Sequence, residues 1–243
     1  MAILETSHRP WPLPGGSWVM RMSWHDLLFA HWPVPAEAVG ALVPSPLQID
    51  TFERRAWVGV IPFRMTGVTP RWVPPLPGLS AFPELNVRTY VTLGGKPGVW
   101  FFSLDAANLL AVHTARWAYA LPYFHARMSL EEKDGWVQYR SRRLAQDTEF
   151  KARYRPTGKV FHPQRGTLEY FLTERYCLYA IDTRGRLRRA EIHHPPWPLQ
   201  PGEALFERNT MAAACGIALP DSAPLLHFAR RLDVLVWPLR ATN

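Results

Sequence analysis

Cysteine is scarce in this chain, and long uncharged apolar runs are missing from it. The only cysteines, Cys177 and Cys215, are too few for a disulfide framework or a structural zinc site, and we expect both to be buried, unreactive thiols. No uncharged stretch approaches the roughly 18 apolar residues of a membrane helix. The N-terminus has no basic region leading into an apolar core, as a signal peptide would. The sequence therefore predicts a cytoplasmic protein that has no membrane partner.

The common catalytic and metal-binding motifs are missing as well. The chain contains no glycine-rich nucleotide loop, no G-x-S-x-G and no H-E-x-x-H. Histidines lie in apolar stretches or after a strand, at His31, His113, His125 and the pair 193–194. None of them is spaced from an acid or a cysteine as metal ligands are. We therefore expect neither a metal site nor another cofactor.

Acidic residues are outnumbered, and the net charge is +8. Basic clusters at residues 140–143, 151–155, 184–189 and 230–231 could form a surface for an anionic partner. Three of these clusters lie where apolar and polar residues alternate, so the simpler interpretation is the outward face of a strand. Nucleic-acid binding is therefore kept as the alternative function, although a nucleic-acid partner is not the main expectation.

The periodicity predicts one mostly β domain of the α+β class over residues 1–243, with residues 1–15 as a proline-rich arm. Runs rich in β-branched and aromatic residues predict strands at 56–65, 85–93, 99–104, 124–130, 136–143, 149–155, 176–182, 187–193 and 225–239. Helical spacing and capping residues predict helices from Trp24 to just before Pro33 and at 35–42, 105–121 and 204–215. Because strands and helices do not alternate regularly, we expect a closed or strongly curved antiparallel β barrel with helices packed outside.

The segment after Pro83 carries the first candidate site. On a strand, Glu84, Asn86 and Arg88 project from one face and Leu85 and Val87 from the other. A carboxylate, an amide and a guanidinium in one row could fix a polar ligand and orient a water molecule. A solvent-exposed polar face explains the pattern equally well. The aromatic-rich partner strand at 99–104 favours coverage of both faces.

Two further residues are candidates for ligand binding. Arg116 could hold a carboxylate or phosphate through two hydrogen bonds, or it could pair with Asp105, Glu84 or a surface acid. Tyr123 could donate its hydroxyl to a ligand, or it could be a packed aromatic residue. For each residue, the sequence does not decide between ligand binding and the structural alternative.

Several strings resemble one known family, namely RMSWHDLLFAHWPVP, FPELNVRTYV, GVWFFSLDA, LPYFHARM, LTERYCLY and HHPPWPLQP. On these strings the chain resembles the YqjF-like family, a domain of unknown function, over about residues 16–239. That family groups by fold with acetoacetate decarboxylase. The resemblance therefore implies a cone-shaped antiparallel β barrel, closed by helices, with a central ligand cavity.

The resemblance also shows a departure from the decarboxylase chemistry. Acetoacetate decarboxylase uses two adjacent lysines just after a proline, one of which forms a Schiff base with a β-keto acid. The matching place here is 122–124, which reads Pro-Tyr-Phe, and none of the four lysines, at positions 96, 133, 151 and 159, has a lysine neighbour. A nucleophilic lysine must be desolvated and crowded by positive charge. We therefore expect no Schiff-base reaction.

The fold analogy implies a pocket that binds, hydrates or hydrolyses a small oxo or carboxylic compound. Glu84 would then be the acid or base, and Arg88 or Arg116 would anchor an anion. Whether the protein is an enzyme or a sensor stays open. A structural protein with a filled barrel is the third alternative, and a homo-oligomer is possible.

Overall fold

The computed structural model describes residues 5–74, 80–108 and 119–242. Within these ranges lie thirteen strands: β1 Met20–Val34, β2 Gln48–Ile49, β3 Ala56–Pro70, β4 Phe82–Leu93, β5 Lys96–Ala106, β6 Tyr123–Lys133, β7 Trp136–Arg143, β8 Glu149–Pro156, β9 Cys177–Ile181, β10 Leu187–His193, β11 Gln200–Asn209, β12 Leu225–Val236 and β13 Arg240–Ala241. They also contain two short α-helices, α1 Ala36–Gly40 and α2 Leu168–Thr173, and a 3-10 turn, Ala213–Cys215. No helix in this part of the chain is long and apolar enough to cross a membrane.

Nine of the strands close into a barrel. Their order is β5, β6, β7, β8, β11, β12, β1, β3, β4 and back to β5. All of these pairings are antiparallel except the short one between β5 and β6, where Leu104 lies opposite Tyr123. The predicted mostly β, closed barrel is therefore confirmed, with one parallel pairing that the sequence does not predict.

Apolar side chains fill much of the barrel interior. Alternate residues of β1, β3 and β4, including Leu85 and Val87, pack in one buried cluster with aromatic residues of β7, β8 and β12, including Tyr139, Tyr154 and Phe228. Since successive side chains on a strand point to opposite faces, the residues between them project away from this cluster. The other face of β3 and β4 is therefore left to be covered by a different part of the chain.

The hairpin formed by β9 and β10 covers that second face. Strand β9 pairs with the first half of β5, and β10 pairs with the last residues of β12. The hairpin thus bridges two strands of the barrel wall. A second apolar cluster, with Phe29, Phe63, Leu104 and Trp197, packs between the wall and this cover.

Strand β1 contradicts the helix predicted from Trp24 to before Pro33. Both faces of the strand are buried over 26–32, so the apolar residues show no two-residue period that would distinguish a strand from a helix. Asp26 has a φ of 53° and interrupts the pairing with β3 between His25 and Ala30. This bulge brings Trp24 onto the same side as Phe29, in the second apolar cluster.

One other helix prediction also fails, a further predicted helix lies mostly outside the described ranges, and one helix was missed. The segment predicted as a helix at 204–215 begins as strand β11, in which Leu205 is exposed between two half-buried residues that face the core, followed by the 3-10 turn. The helix predicted at 105–121 does not begin at Asp105, which lies in β5, and residues 109–118 lie outside the described ranges. The missed helix α2 begins after Thr167, whose hydroxyl accepts a hydrogen bond from the Tyr170 amide.

The remaining predicted elements are present. The helix at 35–42 corresponds to α1, and the nine predicted strands correspond to β3–β10 and β12. The hairpin between β4 and β5 turns at the two glycines 94 and 95, both of which have positive φ values.

Candidate functional site

A cavity of about 200 Å³ lies between strand β4 and the β9–β10 hairpin. Most of its wall is apolar, with methionine and aromatic side chains that include Met22, Met65, Phe82 and Trp197. The charged or polar lining residues are Glu84, Arg88, Tyr119, Tyr123, Thr173, Arg175, Cys177 and His194. The resemblance implies a central cavity, whereas this one lies beside the packed interior of the nine-stranded barrel.

Two of the predicted site residues lie on strand β4 and line the cavity. Glu84 and Arg88 both line it, while Leu85 and Val87 pack in the barrel interior on the opposite face. Asn86 is buried on the same strand but is not part of the lining, and its Oδ1 atom has no hydrogen-bond partner among the residues described. The solvent-exposed alternative for this strand face is therefore wrong.

Glu84 is a buried carboxyl group paired with a tyrosine. Only 4% of the residue is exposed, and its Oε2 atom accepts a 2.7 Å hydrogen bond from the Tyr123 hydroxyl. Tyr139 donates to the Glu84 backbone oxygen at 2.7 Å from the barrel interior and so fixes the strand at this point. Burial raises the pKa of Glu84 to about 7, although the Tyr123 hydrogen bond opposes the rise. Near neutral pH, both the acid and the carboxylate are populated.

A second buried carboxylate lies near Glu84. Asp105, on β5, is fully buried and accepts a 2.8 Å hydrogen bond from Arg143 Nε and a 3.0 Å hydrogen bond from the Ser141 hydroxyl. The Arg143 guanidinium also lies 3.9 Å from the centre of the Phe124 ring. The charge of Asp105 contributes to the raised pKa of Glu84. Asp105 therefore lies in a strand and in an ion pair, and not at the start of the helix predicted at 105–121.

Arg88 is a cation without a carboxylate partner among the described residues. Its guanidinium carbon lies 5.5 Å from the Phe29 ring centre and 5.6 Å from that of Tyr90, and Nη2 donates to the Leu172 carbonyl at 3.3 Å. The Nε atom is buried and has no hydrogen-bond partner there. Since an arginine beside apolar surface is normally paired, the arrangement leaves a positive charge available to a ligand.

The tyrosine beneath Arg88 is itself held by a histidine. The Tyr90 hydroxyl lies 2.6 Å from His31 Nε2, and both residues are fully buried. Burial lowers the pKa of His31 well below its ordinary value, and the nearby Arg88 charge acts in the same direction. His31 is therefore neutral and provides a rigid support for the Arg88 end of the cavity.

Arg175 is the second arginine in the cavity wall, but its charge is neutralised. Its Nη1 atom donates to Asp50 Oδ2 at 2.6 Å, and its Nε atom donates to the Phe171 carbonyl at 2.6 Å. The guanidinium lies 4.3 Å from the Phe171 ring centre and 5.0 Å from that of Tyr90. The sequence did not single out Arg175, because its position depends on α2 and on contacts with distant strands.

The other predicted features can now be placed. Arg116 lies outside the described residues, whereas Tyr123 is in the wall beside Glu84. None of the four lysines is part of the lining. Cys177 is in the wall and fully buried, and burial raises the pKa of its thiol to about 11. Across the described ranges, no three His, Cys, Asp or Glu side chains are arranged to hold a metal ion.

Comparison with known proteins identifies the family. The model of the DUF2071 family, described as an uncharacterized conserved protein, matches residues 21–233. This chain belongs to the DUF2071 family. It is similar to another member, the uncharacterized protein YqjF of Bacillus subtilis (strain 168), with 49% identity over 229 residues that cover 94% of each chain. The predicted YqjF-like membership is confirmed.

Solved structures place this DUF2071 member in a wider fold group. Acetoacetate decarboxylase from Legionella pneumophila matches with a TM-score of 0.65 and 13% identity, over 98% of this chain and 93% of that one. The enduracididine biosynthesis enzyme MppR, solved with pyruvate, matches with a TM-score of 0.63 and 10% identity, over 93% and 91%. At these identities the similarity establishes the acetoacetate decarboxylase-like fold alone.

Proposed function

We propose that the cavity binds a small oxo or carboxylic compound, with the carboxylate on Arg88 and a second polar group near Glu84. The observation that carries the proposal is the Arg88 guanidinium, which lines a mostly apolar cavity and has no ion pair in the described part of the chain. A charge in apolar surroundings is costly unless it is paired and hydrogen-bonded. A ligand carboxylate would supply both the charge and the hydrogen-bond acceptors.

Glu84 would contact the other end of the same ligand. Residues 84 and 88 are four positions apart on one strand, so their Cα atoms are separated by roughly 13 Å. Apolar side chains, among them Phe101 and Leu104, line the cavity as well and would hold the body of the ligand. The cavity is smaller than the roughly 300 to 1,000 Å³ of sites for drug-sized ligands. A compact ligand with a polar group at each end therefore fits best.

The protonation of Glu84 gives this end of the site a chemical role. A carboxyl group with a pKa near 7 can donate a hydrogen bond to an oxo group when protonated and accept a proton when ionised. In the protonated state, Tyr123 still donates to one oxygen, which leaves the acid proton free for the ligand. If the bound compound reacts, proton transfer by Glu84 is the step that the site supports.

The fold neighbours agree with this ligand class. MppR was solved with pyruvate, a small oxo acid, in a related barrel. A Schiff base is not part of the proposal, because no lysine lines this cavity. Cys177 is also a poor nucleophile, since its thiol is protonated at neutral pH.

Calorimetric titration with matched ligand pairs tests the binding role of Arg88. We would titrate 2-oxohexanoate, hexanoate and 1-hexanol into the wild type, Arg88→Met and the control Arg153→Met, which removes an exposed arginine on β8. A hydrogen-bonded charge pair is worth about 1.5–3 kcal/mol, so we expect Arg88→Met to weaken the acids roughly 10- to 100-fold and to leave the alcohol unchanged. Equal acid affinities in wild type and Arg88→Met would contradict the proposal.

Isotope exchange tests the chemical role of Glu84. The wild type and Glu84→Gln would each be incubated with 2-oxohexanoate in deuterium oxide, and the loss of the C3 proton signal would be followed by NMR. Catalysed exchange that disappears in Glu84→Gln supports proton transfer at this site. Binding without exchange in the wild type identifies a binding protein and excludes the catalytic part of the proposal for this compound.

A further inference from the structure

Two tryptophan side chains in the cavity wall carry hydrogen-bond donors without an acceptor. Trp24 and Trp197 both line the cavity. The indole Nε1 atom of each is shielded from solvent and has no hydrogen-bond partner among the described residues. Buried polar groups are nearly always hydrogen-bonded, to protein or to an ordered molecule. Two such donors in the wall of one cavity therefore indicate an acceptor that belongs to the occupant.

Trp24 reaches the cavity through the bulge in β1. Asp26 has a φ of 53°, and the pairing with β3 is interrupted between His25 and Ala30. Bulges are frequent beside functional sites, where they change the direction of a side chain. This one brings Trp24 onto the same side of the strand as Phe29, in the second apolar cluster. A regular strand would place the two residues on opposite faces, because they are five positions apart.

Trp197 is held in place by its own backbone and by its neighbours. It lies in the segment 195–198, which reads Pro-Pro-Trp-Pro, and each proline fixes one backbone φ angle. Its amide donates to Glu174 Oε1 at 2.9 Å, and its carbonyl lies 3.1 Å from His162 Nδ1. The residue is only 2% exposed, and its ring packs edge-on against Phe29 with centres 4.8 Å apart. The N–H group is therefore preorganised, which lowers the entropy cost of binding.

The strand register places both rings toward the Glu84 end of the cavity. Through one residue of β3, Trp24 is in register with Phe82 of β4. At about 3.3 Å per residue, the Cα atom of Phe82 lies roughly 7 Å from that of Glu84 and roughly 20 Å from that of Arg88. The Trp197 ring stacks on that of Trp24, with centres 5.9 Å apart and 22° between the planes. The two indoles therefore accompany the acid and not the arginine.

Three neutral polar side chains of the same wall already have partners. The Thr173 hydroxyl and the Cys177 thiol donate to backbone carbonyls at 2.7 Å and 3.3 Å. Both ring nitrogens of His194 lie near backbone carbonyls, at 2.8 Å and 3.4 Å. These three residues therefore do not compete with the indoles for an oxygen of the ligand.

From these contacts we infer that the cavity selects a ligand with an oxo group, whose oxygen accepts a hydrogen bond from the indole N–H of Trp24 and from that of Trp197. The inference rests on the proposed function and deepens it, because it specifies the polar group that lies near Glu84. A carbonyl oxygen has two lone pairs and can accept from both rings at once. An ammonium group at the same position carries only donors and would leave both indoles without an acceptor.

NMR of the indole N–H groups tests the inference on the unaltered chain. The signals of Trp24 and Trp197 would be assigned through the backbone resonances and followed during titration with 5-oxohexanoate, 2-hexanone and hexanoate. A hydrogen bond to oxygen moves an indole proton downfield, so we expect both signals to move with the two oxo compounds and far less with hexanoate. The signal of Trp57 is the internal control. Its Nε1 is also buried without a partner in the described structure, but the residue does not line the cavity, so its signal should stay in place.

Calorimetry of single variants measures the contribution of each donor. Trp24→Phe and Trp197→Phe each remove one N–H group and keep an aromatic ring. One neutral hydrogen bond changes affinity roughly 2- to 10-fold, so each variant should weaken 5-oxohexanoate by that factor more than hexanoate, which corrects for lost packing. Trp57→Phe is the matched control and should keep the wild-type preference for 5-oxohexanoate. In the wild type, 5-aminohexanoate should bind roughly 10-fold more weakly than 5-oxohexanoate, because it leaves both indoles unpaired.

The neutral ketone separates this inference from the proposed function. 2-Hexanone has no carboxylate, so if it binds and moves both indole signals while Arg88→Met leaves the acid affinities unchanged, the carboxylate site is wrong and the oxo site stands. Three results would overturn the inference: indole signals that stay in place when an oxo compound binds, an undiminished preference for 5-oxohexanoate in Trp24→Phe or Trp197→Phe, and tighter binding of 5-aminohexanoate. Absence of binding by both oxo compounds overturns it as well.

Discussion

The buried acid Glu84 should make the stability of this protein depend on pH in a way that one substitution removes. Glu84→Gln keeps the volume of the side chain and an oxygen that can accept from Tyr123, but it has no charge. In the native state the pKa of Glu84 is about 7, compared with an ordinary value of 4.5, and burial is the main cause. The substitution therefore isolates the free energy of placing one negative charge in the cavity wall.

The direction and size of the effect follow from the pKa difference. Because the native pKa is raised, Glu84 has no effect on the free energy of unfolding at pH values below about 4.5. There it is protonated in both the folded and the unfolded protein. Between about pH 4.5 and 7 the unfolded chain ionises first, and stability falls by at most about 1.4 kcal/mol per pH unit. Above pH 7 the full cost is present, about 3 kcal/mol.

Urea unfolding followed by tryptophan fluorescence at pH 5 and pH 8 measures this cost. We expect Glu84→Gln to be more stable than the wild type by less than about 1 kcal/mol at pH 5 and by up to about 3 kcal/mol at pH 8. Glu131→Gln, at an exposed position on β6, is the control and should change stability by less than about 0.5 kcal/mol at either pH. A stability difference between wild type and Glu84→Gln that does not change with pH would refute the reasoning.

Three further predictions concern other parts of the chain. Arg143→Met leaves the buried Asp105 carboxylate unpaired and should cost about 3–5 kcal/mol in urea unfolding, whereas Arg140→Met removes an exposed ion pair and should cost less than about 1 kcal/mol. Borohydride treatment with a labelled β-keto acid should leave no covalent label on the protein; a labelled lysine would contradict the absence of Schiff-base chemistry. For nucleic acid, the alternative partner, fluorescence anisotropy should detect no binding at about 50 mM salt, and salt-sensitive binding there would revive that function.

The strand face that carries Glu84 and Arg88 could be predicted because it depends only on local geometry. A strand alternates its side chains whatever it pairs with, so a polar residue at every second position identifies one face. Three residues in sequence were therefore enough to place the acid and the arginine together. Which face of the strand borders a cavity depends on the hairpin that covers it. The aromatic-rich partner strand at 99–104 indicated only that both faces are covered.

The contacts that give these residues their chemistry could not be predicted in the same way. Tyr123 reaches Glu84 only because β6 pairs in parallel with the end of β5, which the sequence does not indicate. Arg175 reaches the cavity from the segment after a short helix, and its partner Asp50 is 125 positions away. Pairings across such distances depend on the closed topology and have no local sequence pattern.

The error at β1 has a related cause. A strand buried on both faces has no polar alternation, and a run such as Leu27 to Ala30 fits a helix or a strand equally well. Length and flanking prolines were the only other signals, and both were compatible with a short helix. The bulge at Asp26 then shifts the alternation within the strand, so that even a correct strand prediction would have assigned Trp24 to the wrong face.

The distribution of charge around β4 explains why Glu84 and Arg88 are the site candidates among several buried ionisable groups. Asp105 is neutralised by Arg143, and Arg175 is neutralised by Asp50. In each pair the carboxylate and the arginine already hold one another as counter-ions, so neither is available to bind a charged ligand. Glu84 has a hydroxyl partner but no cation, and Arg88 has aromatic rings and a carbonyl but no carboxylate in the described structure. Because both line the same apolar space, one ligand with an acid at one end and an oxo group at the other would satisfy them together.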